Sequence, residues 1–210
     1  MESARDRCAR PEIPRNSSVG RPWGIASSAT SPFWVADNRT GLSTLYNSAG
    51  VPLPLVVTVS PPLGGTPPSA PTGVVFNGSM SSFGGSRFIF STEDGTINAR
   101  NGVTTAPVVA STPDVVYKGI AIGAVGAANF LYAANFHAGT IDVFNSGFAP
   151  TLLVGSFTDP GGLPDGYAPF DIQNLNGLLY VTYALQNAAG HDDVRRLKRY
   201  SSQRGDARPE

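Results

Sequence analysis

The sequence predicts an all-β fold assembled from repeated four-stranded units. Glycine (24) and proline (18) supply 42 of the 210 residues, a load of turn-formers that excludes long uninterrupted helices. Apolar residues fall in short alternating runs with no 3.6-residue periodicity. The same phrase also recurs at intervals near 45 residues, and a repeat of that kind decides the architecture.

Three units align. The first is "PWGIA" (22–26), "FWVAD" (33–37) and "GLSTLYN" (41–47); the second is "PTGVV" (71–75), "FIFST" (88–92) and "GTINARN" (95–101). The third is "YKGIA" (117–121), "FLYAAN" (130–135) and "GTIDVFN" (139–145), and a fourth begins at "PFDIQ" (169–173) and "LLYVTY" (178–183). The anchoring glycines Gly24, Gly73 and Gly119 are 49 and 46 residues apart. Between units lie further β-prone runs, "LPLVVTV" (53–59), "APVVA" (106–110) and "TLLVGSF" (151–157), which bring each unit to four strands. Four strands in such a period predict a propeller blade, so the chain reads as a partial propeller of about three and a half blades.

Turn chemistry supports the strand reading. Asp37 and Asn135 each end a second strand four residues before a glycine, Gly41 and Gly139; in the second unit Thr92 precedes Gly95 by three. Asp and Asn side chains bond backbone N–H groups two residues on, and Gly accepts positive φ. Asn47, Asn101 and Asn145 mark the next turn in each unit. The insert at 51–71 carries seven prolines and predicts an exposed connection over 60–71 after an outer-edge strand.

The formal net charge is zero, which removes the usual argument for nucleic acid or an anionic membrane as partner. Its distribution is uneven. Residues 1–21 hold five Arg against three acids, and 191–210 hold six Lys or Arg against four. Between them only Arg39, Arg87, Arg100 and Lys118 face eight acids. The expected organisation is a disordered or non-native N-terminal segment (1–20), the propeller (21–193) and a disordered basic tail (194–210). The single Cys8 excludes an intramolecular disulfide and a cysteine-rich metal site. No run reaches the ~18 apolar residues of a membrane span, and residues 1–18 lack the apolar core of a secretory signal. Read literally, the chain is soluble and cytoplasmic.

The phrases "PWGIA", "FWVADN" and "GTIDVFN" resemble the NHL-type β-propeller repeat. More narrowly, "GLSTLYN", "PTGVVFN", "NFLYAANF" and "NLNGLLYVTYALQ" resemble an uncharacterised family of secreted bacterial NHL-like propellers, some with PEP-CTERM sorting tails. The likeness covers about residues 21–193 and stops where the basic ends begin. It implies a truncated or frame-shifted copy whose intact relatives are exported. It also implies free blade edges, and with them either poor stability of the chain alone or self-association through those edges.

Candidate chemistry is sparse. The first strand of a blade lines the central channel of a propeller, and there Asp171 stands where the other units have glycine. Asp171 and Lys118 are therefore the channel-lining candidates, expected to form an ion pair. Asp37 and Asn135 are oxygen donors of the kind Ca²⁺ takes, but their recurrence at one turn position favours a structural role. His137 sits in a turn, and His191-Asp192-Asp193 are consecutive, an arrangement that seldom converges on one ion. The strand aromatics Phe33, Trp34, Phe88, Phe90, Phe130, Tyr132 and Tyr180 read as inter-blade core rather than a sugar platform. No hydrolase elbow, phosphate loop or zinc motif occurs, so neither catalytic residue, metal nor cofactor is assigned. The function expected is a non-enzymatic binding scaffold for a protein or carbohydrate. The alternative is a metal-dependent hydrolase of the sugar-lactonase propeller type.

Overall fold

The computed structural model describes residues 21–153, 157, 162–194 and 200–203. Among them the chain is built of β-strands, with one 3₁₀ turn at Phe83–Gly85. The first sheet holds β1 (Arg21–Ala26), β2 (Phe33–Asn38), β3 (Leu42–Tyr46) and β4 (Pro52–Val59) in sequential antiparallel order. The second holds β5 (Pro71–Phe76), β6 (Phe88–Thr92), β7 (Thr96–Arg100) and β9 (Val108–Ser111); the third holds β10 (Tyr117–Val125), β11 (Ala128–Asn135), β12 (Thr140–Phe144) and β13 (Pro150–Thr151). In the fourth, β14 (Tyr167–Leu175) and β15 (Leu178–Leu185) are joined by β16 (Tyr200–Gln203).

Two details depart from the sequence reading. The run 106–110 is split: β8 (Thr105–Ala106) pairs in parallel with β4 of the preceding sheet, Thr58 opposite Thr105, and β9 resumes in its own sheet. Pro107 lies between them and has no N–H to offer a ladder. Within 194–210, Tyr200–Gln203 forms a strand against β15, Tyr200 opposite Tyr183. The whole N-terminal segment 1–20 with Cys8, part of the run 151–157 and the rest of the basic tail lie outside the described residues.

The innermost strands β1, β5, β10 and β14 stand side by side, and each is interrupted at one level. Pairing shifts between Pro22 and Ile25, Pro71 and Val74, Tyr117 and Ile120, and Pro169 and Asp171. Such bulges add a residue to one strand and re-aim its side chain. The glycines at this level permit close approach. A Cβ on Gly24 would lie 2.5 Å from the Thr72 carbonyl oxygen, one on Gly73 2.8 Å from the Ile120 nitrogen, and one on Gly119 2.8 Å from Asp171 Cα. The Thr72 hydroxyl donates across this seam to the Tyr117 carbonyl at 2.7 Å.

Alternating side chains give each sheet a leading face, toward the preceding unit, and a trailing face, toward the next. Trp34, Ala36, Leu45 and Val57 on the trailing face of the first sheet pack on Val74, Phe88 and Phe90 on the leading face of the second. Trp34 stacks on Phe88 at 4.1 Å, with the Arg100 guanidinium 4.9 Å from its ring. Equivalent seams join the second sheet to the third (Ile89, Ile97, Ile120, Leu131) and the third to the fourth (Tyr132, Ala134, Ile172, Val181). Full burial of each large side chain supplies roughly 1.5–3 kcal/mol, so these three seams hold the arc together.

Candidate functional site

The four innermost strands border an open cavity of about 730 Å³, within the usual range of ligand pockets. Gly24, Gly73, Ile120 and Asp171 contribute to its wall, one from each sheet, and Trp23 stands at one end. That end is where the bulges re-aim side chains. Trp23 and Phe170 lie 5.5 Å apart, and Phe170 meets Phe136 edge-on at the same separation.

Lys118 is only 1% exposed and sits among these rings, its ammonium 5.1 Å from the Trp23 ring and 5.8 Å from Phe136. Burying an ammonium requires a partner. Glu93, at the β6–β7 turn, supplies it through a direct ion pair with Lys118. The other Glu93 oxygen accepts from the Asn38 amide at 3.1 Å. Asp192 lies 3.9 Å from the same ammonium and 3.3 Å from His191 Nδ1. Asn187 positions this last pair: its side-chain oxygen accepts from the Ala189 and His191 N–H groups, each at 3.1 Å.

The expected Lys118–Asp171 ion pair does not form. Lys118 spends its charge on Glu93, while the Asp171 carboxylate turns back to accept from the Ile172 N–H at 2.8 Å. Partial desolvation against the inner strands raises the Asp171 pKa above the ordinary carboxylate range, against the lowering effect of that bond, although the residue keeps an exposed side. The side chain occupies the place of glycine because no further inner strand among the described residues packs against it.

The turn residues behave less uniformly than their recurrence suggests. Gly41, Gly95 and Gly139 all have positive φ, and Asn135 accepts from the Ala138 N–H at 3.1 Å. Asp37 reaches across the strands instead, one oxygen accepting from the Thr44 N–H and hydroxyl at 3.1 and 2.7 Å. Its other oxygen is buried without a partner, and burial raises its pKa despite the Thr44 bonds. Asn135 and Tyr117 both donate to Asp142, each at 3.0 Å. These groups tie strands together away from the channel.

His191 and Asp192, read from the sequence as a solvated loop, join Glu93 in a cluster whose donor atoms lie within 4.8 Å of one another. Glu93, Asn38 and Trp23 were not singled out by sequence. A legible signal for them exists in the repeat columns: Trp23, Thr72, Lys118 and Phe170 share one position, and Asn38, Glu93 and Phe136 share another.

Solved structures with the same architecture span diverse proteins. A virginiamycin B lyase from Staphylococcus aureus, solved with quinupristin, superimposes with a TM-score of 0.56 at 14% identity, over 92% of this chain and 54% of that one. The nidogen/laminin complex gives 0.55 at 13% identity, over 90% and 66%. The Swd1 β-propeller domain of Myceliophteria thermophila gives 0.50 at 11%, over 88% and 51%. The chain is a partial β-propeller. At these identities the likeness carries the fold alone. In sequence, the chain is similar to two uncharacterised proteins of Acanthamoeba polyphaga mimivirus, 30% identical over 182 residues and 33% over 181. Each match takes in 78% of this chain, which spans less than half of either relative, 43% and 46%. No family model matches. Among the described residues no helix is long and apolar enough to cross a membrane.

Proposed function

We propose that this partial propeller is a non-enzymatic binding scaffold whose ligand, a carbohydrate or a protein segment, enters the central channel. The observation that carries the reading is the channel itself, about 730 Å³ bounded by all four blades and lined by the aromatic residues Trp23, Phe33 and Phe76 beside Asp171, Gln173 and Asn174. Flat aromatic faces beside amide and carboxylate acceptors suit a neutral, hydroxyl-bearing or peptidic ligand. Placement among secreted bacterial NHL-like propellers belongs to the same reading and rests on the "PWGIA", "FWVADN" and "GTIDVFN" phrases. Titration calorimetry with soluble hexaoses and with a random-peptide library, on the wild type and on Ile122→Trp, tests the site. Ile122 lines the channel, so the filled variant is expected to lose binding. Binding that is indifferent to the filling removes the channel from the reading.

A metal-dependent hydrolase is the second reading, favoured by one observation. Glu93 from the second blade and His191 and Asp192 from beyond the fourth converge at the channel mouth, as hydrolysis at a bound cation requires. The ammonium of Lys118 on Glu93 opposes it, because a divalent ion there meets a fixed positive charge. Calorimetry with Ca²⁺ and Zn²⁺ and an assay of lactone hydrolysis separate the two. Neither binding nor turnover is expected, and either result in favour of the metal overturns the scaffold reading.

A further inference from the structure

Three asparagines in the chain precede a glycine: Asn77, Asn101 and Asn176. Such a pair holds an electrophile and a nucleophile side by side, because a glycine has no Cβ to keep its backbone nitrogen from the side-chain carbonyl carbon before it. Whether the two react depends on how firmly the fold holds either group. Two of the pairs are held. The Asn77 side chain is buried, its amide nitrogen donating to the carbonyls of Ser79, Ser82 and Ser86 at 2.8, 3.0 and 2.9 Å while its oxygen accepts from the Ser79 N–H at 2.9 Å. After Asn176, the Gly177 N–H donates to the Asn174 side-chain oxygen at 2.8 Å, which occupies the atom that must attack, and Leu175 pairs with Leu178 across the turn.

Asn101 has neither restraint. Its counterparts in the first and third units, Asn47 and Asn145, each accept two backbone N–H groups, from Ala49 and Val51 and from Gly147 and Ala149, at 2.9 to 3.1 Å. Asn101 is exposed, and among the described residues neither its side chain nor the Gly102 N–H has a hydrogen-bond partner. A Cβ placed on Gly102 would meet nothing within 4 Å, so the turn has room to rearrange. The turn belongs to the second sheet, which has a sheet of this chain packed on either side. We propose that Asn101-Gly102 is a self-modification site, where the chain turns its own amide into a carboxylate with water as the only co-reactant. The deprotonated Gly102 nitrogen bonds to Asn101 Cγ, and the side-chain nitrogen leaves as ammonia, carrying the proton that the backbone gave up. Water then opens the five-membered imide. Cleavage at Cγ restores the ordinary backbone with an acid side chain; cleavage at the main-chain carbonyl leaves an isoaspartyl link through the side chain. Nothing is oxidised or reduced. The new carboxylate stands next to Arg100, whose guanidinium lies over Trp34 and donates from Nε to the Val103 carbonyl at 2.7 Å, with no acidic partner among the described residues. The isoaspartyl link lengthens the main chain just before Thr104, whose carbonyl accepts from the Thr58 N–H at 2.9 Å where β4 and β8 join the first two sheets.

The test is incubation of the full chain at mildly alkaline pH, sampled over days and mapped by mass spectrometry after peptic digestion in acid. The acid and its isoaspartyl isomer are expected at position 101 at least about ten times faster than at 77 or 176, because groups held by the fold react only after local opening. In urea that protection is lost, and the three rates should draw together to within about threefold. Asn101→Gln, whose extra methylene removes the five-membered closure, should lose the product at this position and leave the other two rates unchanged. No acid at position 101 in the folded chain, equal rates at the three pairs there, or conversion led by Asn77 or Asn176 overturns the proposal. A ranking that persists unchanged in urea also overturns it, by placing the preference in the neighbouring residues rather than in the fold.

Discussion

Replacing Lys118 with Met tests whether the channel mouth is held by a buried ion pair. The ammonium is 1% exposed and its partner Glu93 11% exposed in their side chains, so solvent cannot take over when the cation is removed. Glu93 would keep only the Asn38 amide as donor. Asp192, 3.9 Å away and 68% exposed, adds little to the wild-type pair. Removing one partner of a buried pair costs about 3–5 kcal/mol, and for a chain of this size each kcal/mol moves the melting temperature by about 2–4 °C. The single variant should therefore melt roughly 10 °C lower. Adding Glu93→Gln to Lys118→Met removes the stranded charge and should recover most of the loss, giving a coupling of about 2 kcal/mol or more in the double-mutant cycle. Urea unfolding followed by circular dichroism, at unchanged m-value, measures all three. A cost below about 1 kcal/mol, or one that disappears in 1 M salt, would show a solvated pair and refute the reasoning.

Other consequences follow from single contacts. Gly73→Ala should destabilise by about 1–3 kcal/mol because its new methyl meets the Ile120 nitrogen at 2.8 Å, whereas Gly78→Ala, with only Phe76 at 3.8 Å, should be within about 0.5 kcal/mol of wild type. Thr72→Val keeps the shape but strands the Tyr117 carbonyl, which costs about 1–3 kcal/mol by chemical denaturation. Asp171 has a raised folded pKa, so the folded state holds its proton more tightly than the unfolded chain. Stability linked to this group is full below the unfolded carboxylate pKa and is lost as pH rises through the folded one. Asp171→Asn should flatten the melting temperature across that window and raise it at pH 7; an unchanged slope would show that the carboxylate is solvated.

Much of this architecture is legible because a propeller repeats its constraints. Gly24, Gly73 and Gly119 recur because each must let the next inner strand approach, and Phe88, Leu131 and Leu179 recur because each faces a neighbouring blade. The Asn47 and Asn145 turns follow the expected chemistry, each side chain accepting from the N–H two residues on at 2.9 Å. Asp37 and Asn135, one column in sequence, part company because Thr44 offers a hydroxyl to the first where Asp142 demands a donor from the second. The ion pairing of Lys118 was misread for a related reason. Asp171 is nearest to it by strand position, but the bulge turns Lys118 to the end of the channel and leaves Asp171 facing its wall.

Those positions differ in kind from the columns that fill the seams. Columns that fill seams hold one kind of residue, since every blade meets the same neighbour. The bulge column instead runs Trp23, Thr72, Lys118, Phe170, and the first turn column runs Asn38, Glu93, Phe136: aromatic, hydroxyl, cation, amide and acid in seven positions. No seam requires that variety, and residues of both columns meet at one end of the inner strands, where Lys118 gathers Glu93, Trp23 and Phe136 around it. Repetition sets the scaffold, and the positions released from repetition are those whose neighbours come from different blades. Variation by column is thus the signal that finds the mouth, whereas a search for motifs along the chain passes over it.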